Sequence, residues 1–309
     1  MRRQMCAWND ENAHNNREMK VLRVLPFLLT AAILTAAQLF PVPEAETGEA
    51  EPRIVHIWNV DTFEGGKGSR SAFLTRVARQ CERRAEGVYF RVQTLTKAGA
   101  EAEMQQGNFP DLLSFGIGLT VDKARCIPFS AASFGVRSAV PWCRGAYYLF
   151  SMTEDFSEED LVISDGGENL ACAAAYFAGL EGEETDALAA YLAFLGGKYK
   201  CLLGTQRDVS RFSARGVNVY RRELSEYCDL YQYIAMLRAD AREECALFLE
   251  TLFSGDVQSA LSDIGMLPAR GASGRTLNVF CTDAQRAEAA QAVREGGNKK
   301  NPEKFFETI

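Results

Sequence analysis

Carboxylates, guanidiniums and aromatic rings recur in this chain where apolar runs give way to glycine and small polar residues. Asp61 and Glu64 follow the run Ile54, Val55, Ile57, together with Trp58, Thr62 and Phe63. Ser114 and Gly116 follow Leu112-Leu113, Glu168 and Asn169 follow Leu161–Ser164, and Thr205 and Asp208 follow Tyr199–Leu203. A carboxylate in such a place accepts hydrogen bonds from ligand hydroxyls. Arg70, Arg144 and Arg207 stand in similar places and can take an anion bidentately or pair with those carboxylates. Trp58, Phe63, Trp142 and Tyr147 offer apolar faces of the kind that pack on the C–H face of a pyranose, unless they belong to the core. This is an inventory for binding a small polar ligand.

Catalytic constellations are weaker. Lys67 in GGKGS has the composition of a phosphate loop, but the Walker spacing is not met. There is no G-x-S-x-G, and the two imidazoles are His14 and His56, the latter inside an apolar run where a core histidine is expected. Glu64 with Asp208 or Glu168 could form a glycosidase pair, but nothing in the sequence fixes their separation. Nine cysteines without a CxxC pair, and so few histidines, argue against a zinc site. The cysteines read as small buried hydrophobes, with at least one left unpaired by the odd count. No cofactor and no metal are expected. A net charge of −7 argues against a nucleic-acid partner.

The elements that would position these groups alternate. Ile54–Ile57 reads as a buried strand, Gly65, Gly66 and Gly68 as a loop, and Ser69 as the N-cap of a helix to Glu86. Gly87 closes that helix; Val88–Leu95 is a second strand, Ala98–Gln106 a short helix, and Leu112-Leu113 enter a third strand. Such βα units predict a parallel sheet covered by helices, with ligand groups at the strand ends. Val140–Phe150 reads as strand-like. The same grammar then repeats through Leu161–Ser164, helix Leu170–Phe177, an acidic loop EGEETD, helix Ala187–Leu195 and strand Tyr199–Leu203. The last third reads as mainly helical, over Tyr227–Leu237, Arg242–Leu252 and Val257–Ile264, with an extended exit at Met266–Arg270.

At the N-terminus, residues 1–18 are polar and read as disordered. Over 19–42, Lys20 and Arg23 precede the apolar Val24–Ala37, which has the length of a signal peptide; Leu39, Phe40 and Val42 carry it toward the span of an uncleaved anchor. Residues 43–52 read as a linker, so the remainder is expected outside the cytoplasm, secreted or anchored.

From about Arg53 to Arg270 the chain resembles the extracellular solute-binding proteins of ABC importers, in the group that binds maltose and other sugars. The resemblance is carried by IVHIWNVDTFEGGKGSR, by Pro110-Asp111 before SFG, by PWCRGAY, by GTQRD and by LFLETLFSGDVQSALSDIGMLP. It implies an α/β, two-lobed periplasmic-binding-protein-like fold (type II) with the ligand cleft between lobes. It places residues 53–139 and 228–270 in one lobe and 140–227 with 271–297 in the other, leaving 298–309 as a polar tail. The implied function is capture of a small polar ligand, a sugar favoured, by hinge closure, with delivery to the transmembrane subunits of an ABC permease. The chain is short after Phe150 for that group, which leaves the sugar preference open. The alternative is a membrane-tethered sensor or scaffold of the same fold without transport.

Overall fold

The computed structural model describes residues 30, 35, 52–131, 134–166, 169–296 and 301–308. Thr30 and Thr35 are helical; the rest of the polar stretch, the expected signal or anchor and the linker up to residue 51 lies outside the described residues. Pro52–Ile309 form one compact unit. Among the described residues no helix is long and apolar enough to cross a membrane.

β1 (Arg53–Val60) is covered on both faces from Ile57 onward, as a strand inside an α/β sheet is. Ser69 caps α1 (Arg70–Glu82), its hydroxyl accepting from the Ala72 N–H at 3.2 Å, and Phe73, Leu74, Val77, Ala78 and Cys81 form the helix's buried stripe. The edge strand β2 (Val88–Leu95) and α2 (Lys97–Gln105) lead to β3 (Leu112–Gly116), all five residues of which are buried. A small ribbon of β4 (Phe129–Ala131) and β5 (Gly135–Arg137) precedes β6 (Val140–Arg144).

The chain then crosses to a second sheet. It holds β7 (Tyr147–Ser151), β8 (Leu161–Asp165), β9 (Glu183–Asp186), β10 (Cys201–Thr205) and β11 (Tyr220–Leu224). Between these strands run α3 (Ala171–Phe177), α4 (Ala187–Leu195) and α5 (Gln206–Ala214). β12 (Tyr231–Met236) returns to the first sheet, followed by α6 (Arg242–Leu252), α7 (Gly255–Ser259) and β13 (Leu267–Pro268). A last segment carries β14 (Arg275–Leu277), α8 (Asp283–Arg294) and β15 (Phe306–Thr308). The strand orders are β13-β6-β12-β3-β1-β2 and β11-β7-β10-β8-β9. β1 pairs parallel with β2 and β3, whereas β12 runs antiparallel to β3 and β6, so the first sheet is mixed. The protein is therefore an α/β molecule of two lobes, with the chain crossing between them after β6, after β11 and after β13.

Four expectations change. Val140–Arg144 stays in the first sheet, so the crossing falls at Gly145-Ala146 rather than at residue 140. Tyr231–Met236 is a strand, not part of a helix: it lies between β6 and β3 with every residue buried, Gln232 included, and so short a segment covered on both faces has no period to separate the two conformations. The acidic EETD is the edge strand β9, paired parallel to β8. The C-terminal residues are not an idle tail, since β15 pairs with β14 and buries Phe306 against Phe177 and Tyr227. α8 joins the second lobe, where Arg294 pairs with Asp165 at 3.0 Å and Glu184 at 2.7 Å. Cys81, Cys126, Cys143, Cys172, Cys228 and Cys245 are buried thiols; burial pushes Cys126 up to about 11 and Cys172, Cys228 and Cys245 up to about 12.

Candidate functional site

Strand ends and helix starts from the two lobes face one another across a cleft of about 740 Å³, within the range of small-molecule sites. The loop after β1 supplies Asp61, Thr62, Phe63 and Glu64. The second lobe supplies Ser164, Gly166 and Asn169 at the end of β8, Asp186 to Leu188 at the start of α4, and Thr205, Arg207, Asp208 and Arg211 at the start of α5.

The first wall is held from beneath. Asp61 accepts from the Asn59 amide at 3.0 Å and from Arg70 Nε at 2.8 Å. Arg70, 2% exposed, also donates to the Phe63 carbonyl and lies over the Phe63 ring at 4.1 Å. It fastens the loop rather than reading a ligand. Below it, the Ser114 hydroxyl donates to Asn59 Oδ1 at 3.0 Å, Trp142 Nε1 donates to Ser114 Oγ at 3.1 Å, and the Gln232 amide donates to Ser114 Oγ and the Val60 carbonyl, both at 3.1 Å. These bonds give Asn59, Ser114, Trp142 and the Gln232 amide N–H groups partners away from water, while Gln232 Oε1 has none among the described residues.

The glycine loop has a different duty from the one its sequence suggests. Lys67 N–H and Gly68 N–H donate to the Ile264 carbonyl at 3.0 and 3.2 Å, and a Cβ at Gly66 would collide with the backbone of Gly265. Its glycines admit a close backbone crossing, and its amides serve the turn before β13.

On the second wall the helix starts are capped by the chain's own side chains. Asp186 Oδ1 accepts from Leu188 N–H at 2.9 Å and Ala189 N–H at 3.3 Å. Thr205 and Asp208 form a capping box, in which Asp208 Oδ2 accepts from Thr205 N–H at 3.0 Å; its Oδ1 pairs with Arg211 at 3.0 Å. Asp229, on the segment returning from β11, accepts from Leu170 N–H and from the Tyr147 hydroxyl, both at 2.7 Å. Burial raises the Asp229 carboxyl, and these two hydrogen bonds pull it back. Burial raises the Tyr147 hydroxyl as well, with the Asp229 charge adding to it.

Two contacts tie the lobes at the cleft. Gln206, 5% exposed, accepts from Ala146 N–H at 2.9 Å and donates to the Glu64 carbonyl at 2.8 Å. Its amide occupies the space a side chain at Gly145 would need, so the crossing requires glycine there. Beside it, Glu64 and Arg207 form an ion pair from opposite lobes. Partial burial, then the neighbouring Arg211, pulls the Arg207 guanidinium below its ordinary value.

Of the residues named from sequence, Asp61, Thr62, Phe63, Glu64, Asn169, Thr205, Arg207 and Asp208 line the cleft. Trp58 at 8% exposure and Trp142 at 0% belong to the core, where Trp142 stacks on Phe73 with ring centroids 5.8 Å apart. Tyr147 is likewise in the core. Ser114 and Gly116 are buried under the first wall, Gly116 leaving room for the Thr62 hydroxyl. Arg70 is buried behind Asp61, and Arg144 pairs with Glu223 at 3.1 Å without lining the cleft. Glu168 lies outside the described residues. Asp186, Arg211 and Gln206 were missed. Asp186 carried a signal, an aspartate directly ahead of the apolar ALAAYLAFL, but it sat within a run that looks like an acidic loop. Gln206 carried none. Among the described residues no cluster of histidine, cysteine or carboxylate side chains could hold a metal ion.

No protein-family model matches the sequence, and no curated protein matches it. Solved structures are similar at low identity. One is the substrate binding domain of a molybdenum ABC transporter from Clostridium difficile: 10% identity, over 70% of this chain and 99% of that chain, with a TM-score of 0.49. Another is the sugar-binding protein MalE from Xanthomonas citri: 14% identity, 81% and 85% coverage, TM-score 0.48. The GacH receptor of Streptomyces glaucescens, solved without ligand and with acarbose, shares 13% identity over 82% of this chain and 96% of that chain, with a TM-score of 0.47. These neighbours are binding proteins of ABC importers or receptors. The fold is α/β and two-lobed, as the strand orders describe it.

Proposed function

We propose that this chain is a solute-binding protein that holds a small polar ligand in the cleft and closes its lobes over it. The observation that carries this reading is the convergence of both lobes on one polar cavity: Asp61 to Glu64 from one side, Asn169 and Thr205 to Arg211 from the other. A ligand touching both walls favours the closed arrangement because it gains contacts there that the open one lacks. The closed form is then what the membrane subunits of an ABC permease would engage, with the N-terminal segment keeping the domain outside the cytoplasm. This is binding without turnover. A carbohydrate remains among the ligand classes, supported by hydroxyl-accepting carboxylates and by Phe63 as the single aromatic residue among the described residues that line the cleft, since Trp58, Trp142 and Tyr147 belong to the core. The test is a thermal-shift panel of sugars, amino acids, short peptides and oxyanions on the full chain. A true ligand at about 100 times its Kd raises the melting temperature by roughly 5–10 °C. Absence of any shift, or turnover of a glycoside by the isolated protein, overturns the reading.

A further inference from the structure

The charged side chains on the cleft walls fall into two groups. Asp61 is held by Arg70 and Asn59, Asp186 by the first amides of α4, and Asp208 and Arg211 by each other. Each of these is satisfied inside its own lobe and stays so however far the lobes part. Glu64 and Arg207 differ. Among the described residues, the carboxylate of Glu64 and the guanidinium of Arg207 are paired only with each other, and the pair spans the two lobes. Both are partly open to water, at 58% and 33% exposure. Opening the cleft therefore frees one anion on the first wall and one cation on the second, facing each other across the cavity.

We infer that the cleft is built for a zwitterion, an amino acid or a short peptide, whose ammonium group replaces Arg207 at Glu64 and whose carboxylate replaces Glu64 at Arg207. This rests on the cleft being the ligand site. A neutral polyol entering between the two would desolvate both charges without supplying a counter-charge to either, and burying an unpaired charge is costly. A simple anion fits poorly, because among the described residues the walls carry four carboxylates, Asp61, Glu64, Asp186 and Asp208, against the two guanidiniums of Arg207 and Arg211. A simple cation would satisfy Glu64 and leave Arg207 unmatched. Only a ligand with both signs restores the pairing that opening removes. The cavity of about 740 Å³ admits either a single amino acid or a few linked residues.

The experiment is a melting-temperature screen of the full chain with free amino acids, di- and tripeptides, their N-acetylated and amidated forms, and neutral mono- and oligosaccharides. Calorimetry then follows on wild type, Glu64→Gln and Arg207→Gln. The expected result is a shift with a zwitterion, lost when either terminus is blocked. Each variant should weaken that zwitterion about 10- to 150-fold, the range for losing a hydrogen bond to a charged group. Both variants should keep the wild-type melting temperature without ligand, since partly exposed ion pairs contribute little stability. Binding by free amino acids alone assigns the smaller ligand, and binding by peptides alone the larger. A neutral sugar that binds while zwitterions do not overturns this inference and leaves the solute-binding reading standing. Zwitterion binding unaffected by both variants removes the assignment to this pair. No shift with any probe counts against both.

Discussion

Asp229 is the residue on which the hinge leans most. One of its oxygens takes the Tyr147 hydroxyl at the start of the second lobe, and the other takes the first free amide of α3. Its carboxyl is raised above the ordinary 3.8 because burial disfavours the charge by more than those bonds favour it. A raised folded-state value means that the folded protein holds the proton more tightly than the unfolded chain. The stability this contributes is fully present below the unfolded value and is lost as pH rises through the folded one. Asp229→Asn removes the titration. Urea midpoints of wild type and variant should therefore diverge in favour of wild type as pH falls from neutral toward about 4. A constant difference across that range would contradict the assignment. At this scale the sequence was informative about type and poor about direction. Asp61, Glu64 and Arg207 stand at strand ends and reach the cleft, whereas Trp58 and Trp142 at similar ends go to the core. The strands that carry them are covered on both faces, so an aromatic side chain finds apolar cover whichever way it points.

Elements were legible where a local signal closed them. Ser69 ahead of Phe73, Leu74 and Val77 marks the start of α1; its end falls at Glu82 rather than at the expected Glu86, and Gly87, with φ of +74°, belongs to the turn that enters β2. β12 was illegible for the opposite reason: no turn or cap residue marks either end of Tyr231–Met236, and its place between β3 and β6 comes from partners more than about 80 residues away in the chain. The same holds for β9, whose exposed glutamates look like a loop until Val162 pairs with Glu183. Asp186 ends that strand and begins α4, so one residue sets both the edge of the sheet and a wall of the cleft. Asp186→Ala should lose about 0.5–2 kcal/mol of stability, while Asp186→Ser should keep most of it, because a hydroxyl can still accept from Leu188 N–H. Equal losses in the two variants, measured by urea unfolding, would show that the carboxylate acts through something other than the cap.

For the whole molecule, the two sheets were foreseeable from the repeated βα grammar, but the line between the lobes was not. β6 looks continuous with β7 in the run from Val140 to Phe150, and only Gly145 and Ala146 separate them. The glycine is needed because the Gln206 side chain fills the space beside it and reaches on to the Glu64 carbonyl. Hinge, cleft wall and interlobe contact thus meet within a few residues, which is the arrangement expected if closing the lobes and holding a ligand are one event. The most direct measurement is amide hydrogen exchange on the full chain, with and without a ligand that raises its melting temperature. Slowed exchange should appear together at Thr62–Glu64, at Asn169-Leu170 and at Arg207–Arg211, one set from the first lobe and two from the second. Protection confined to one lobe, or found instead in the groove around Met104, Phe109 and Arg125 on the first lobe, would contradict capture between the lobes.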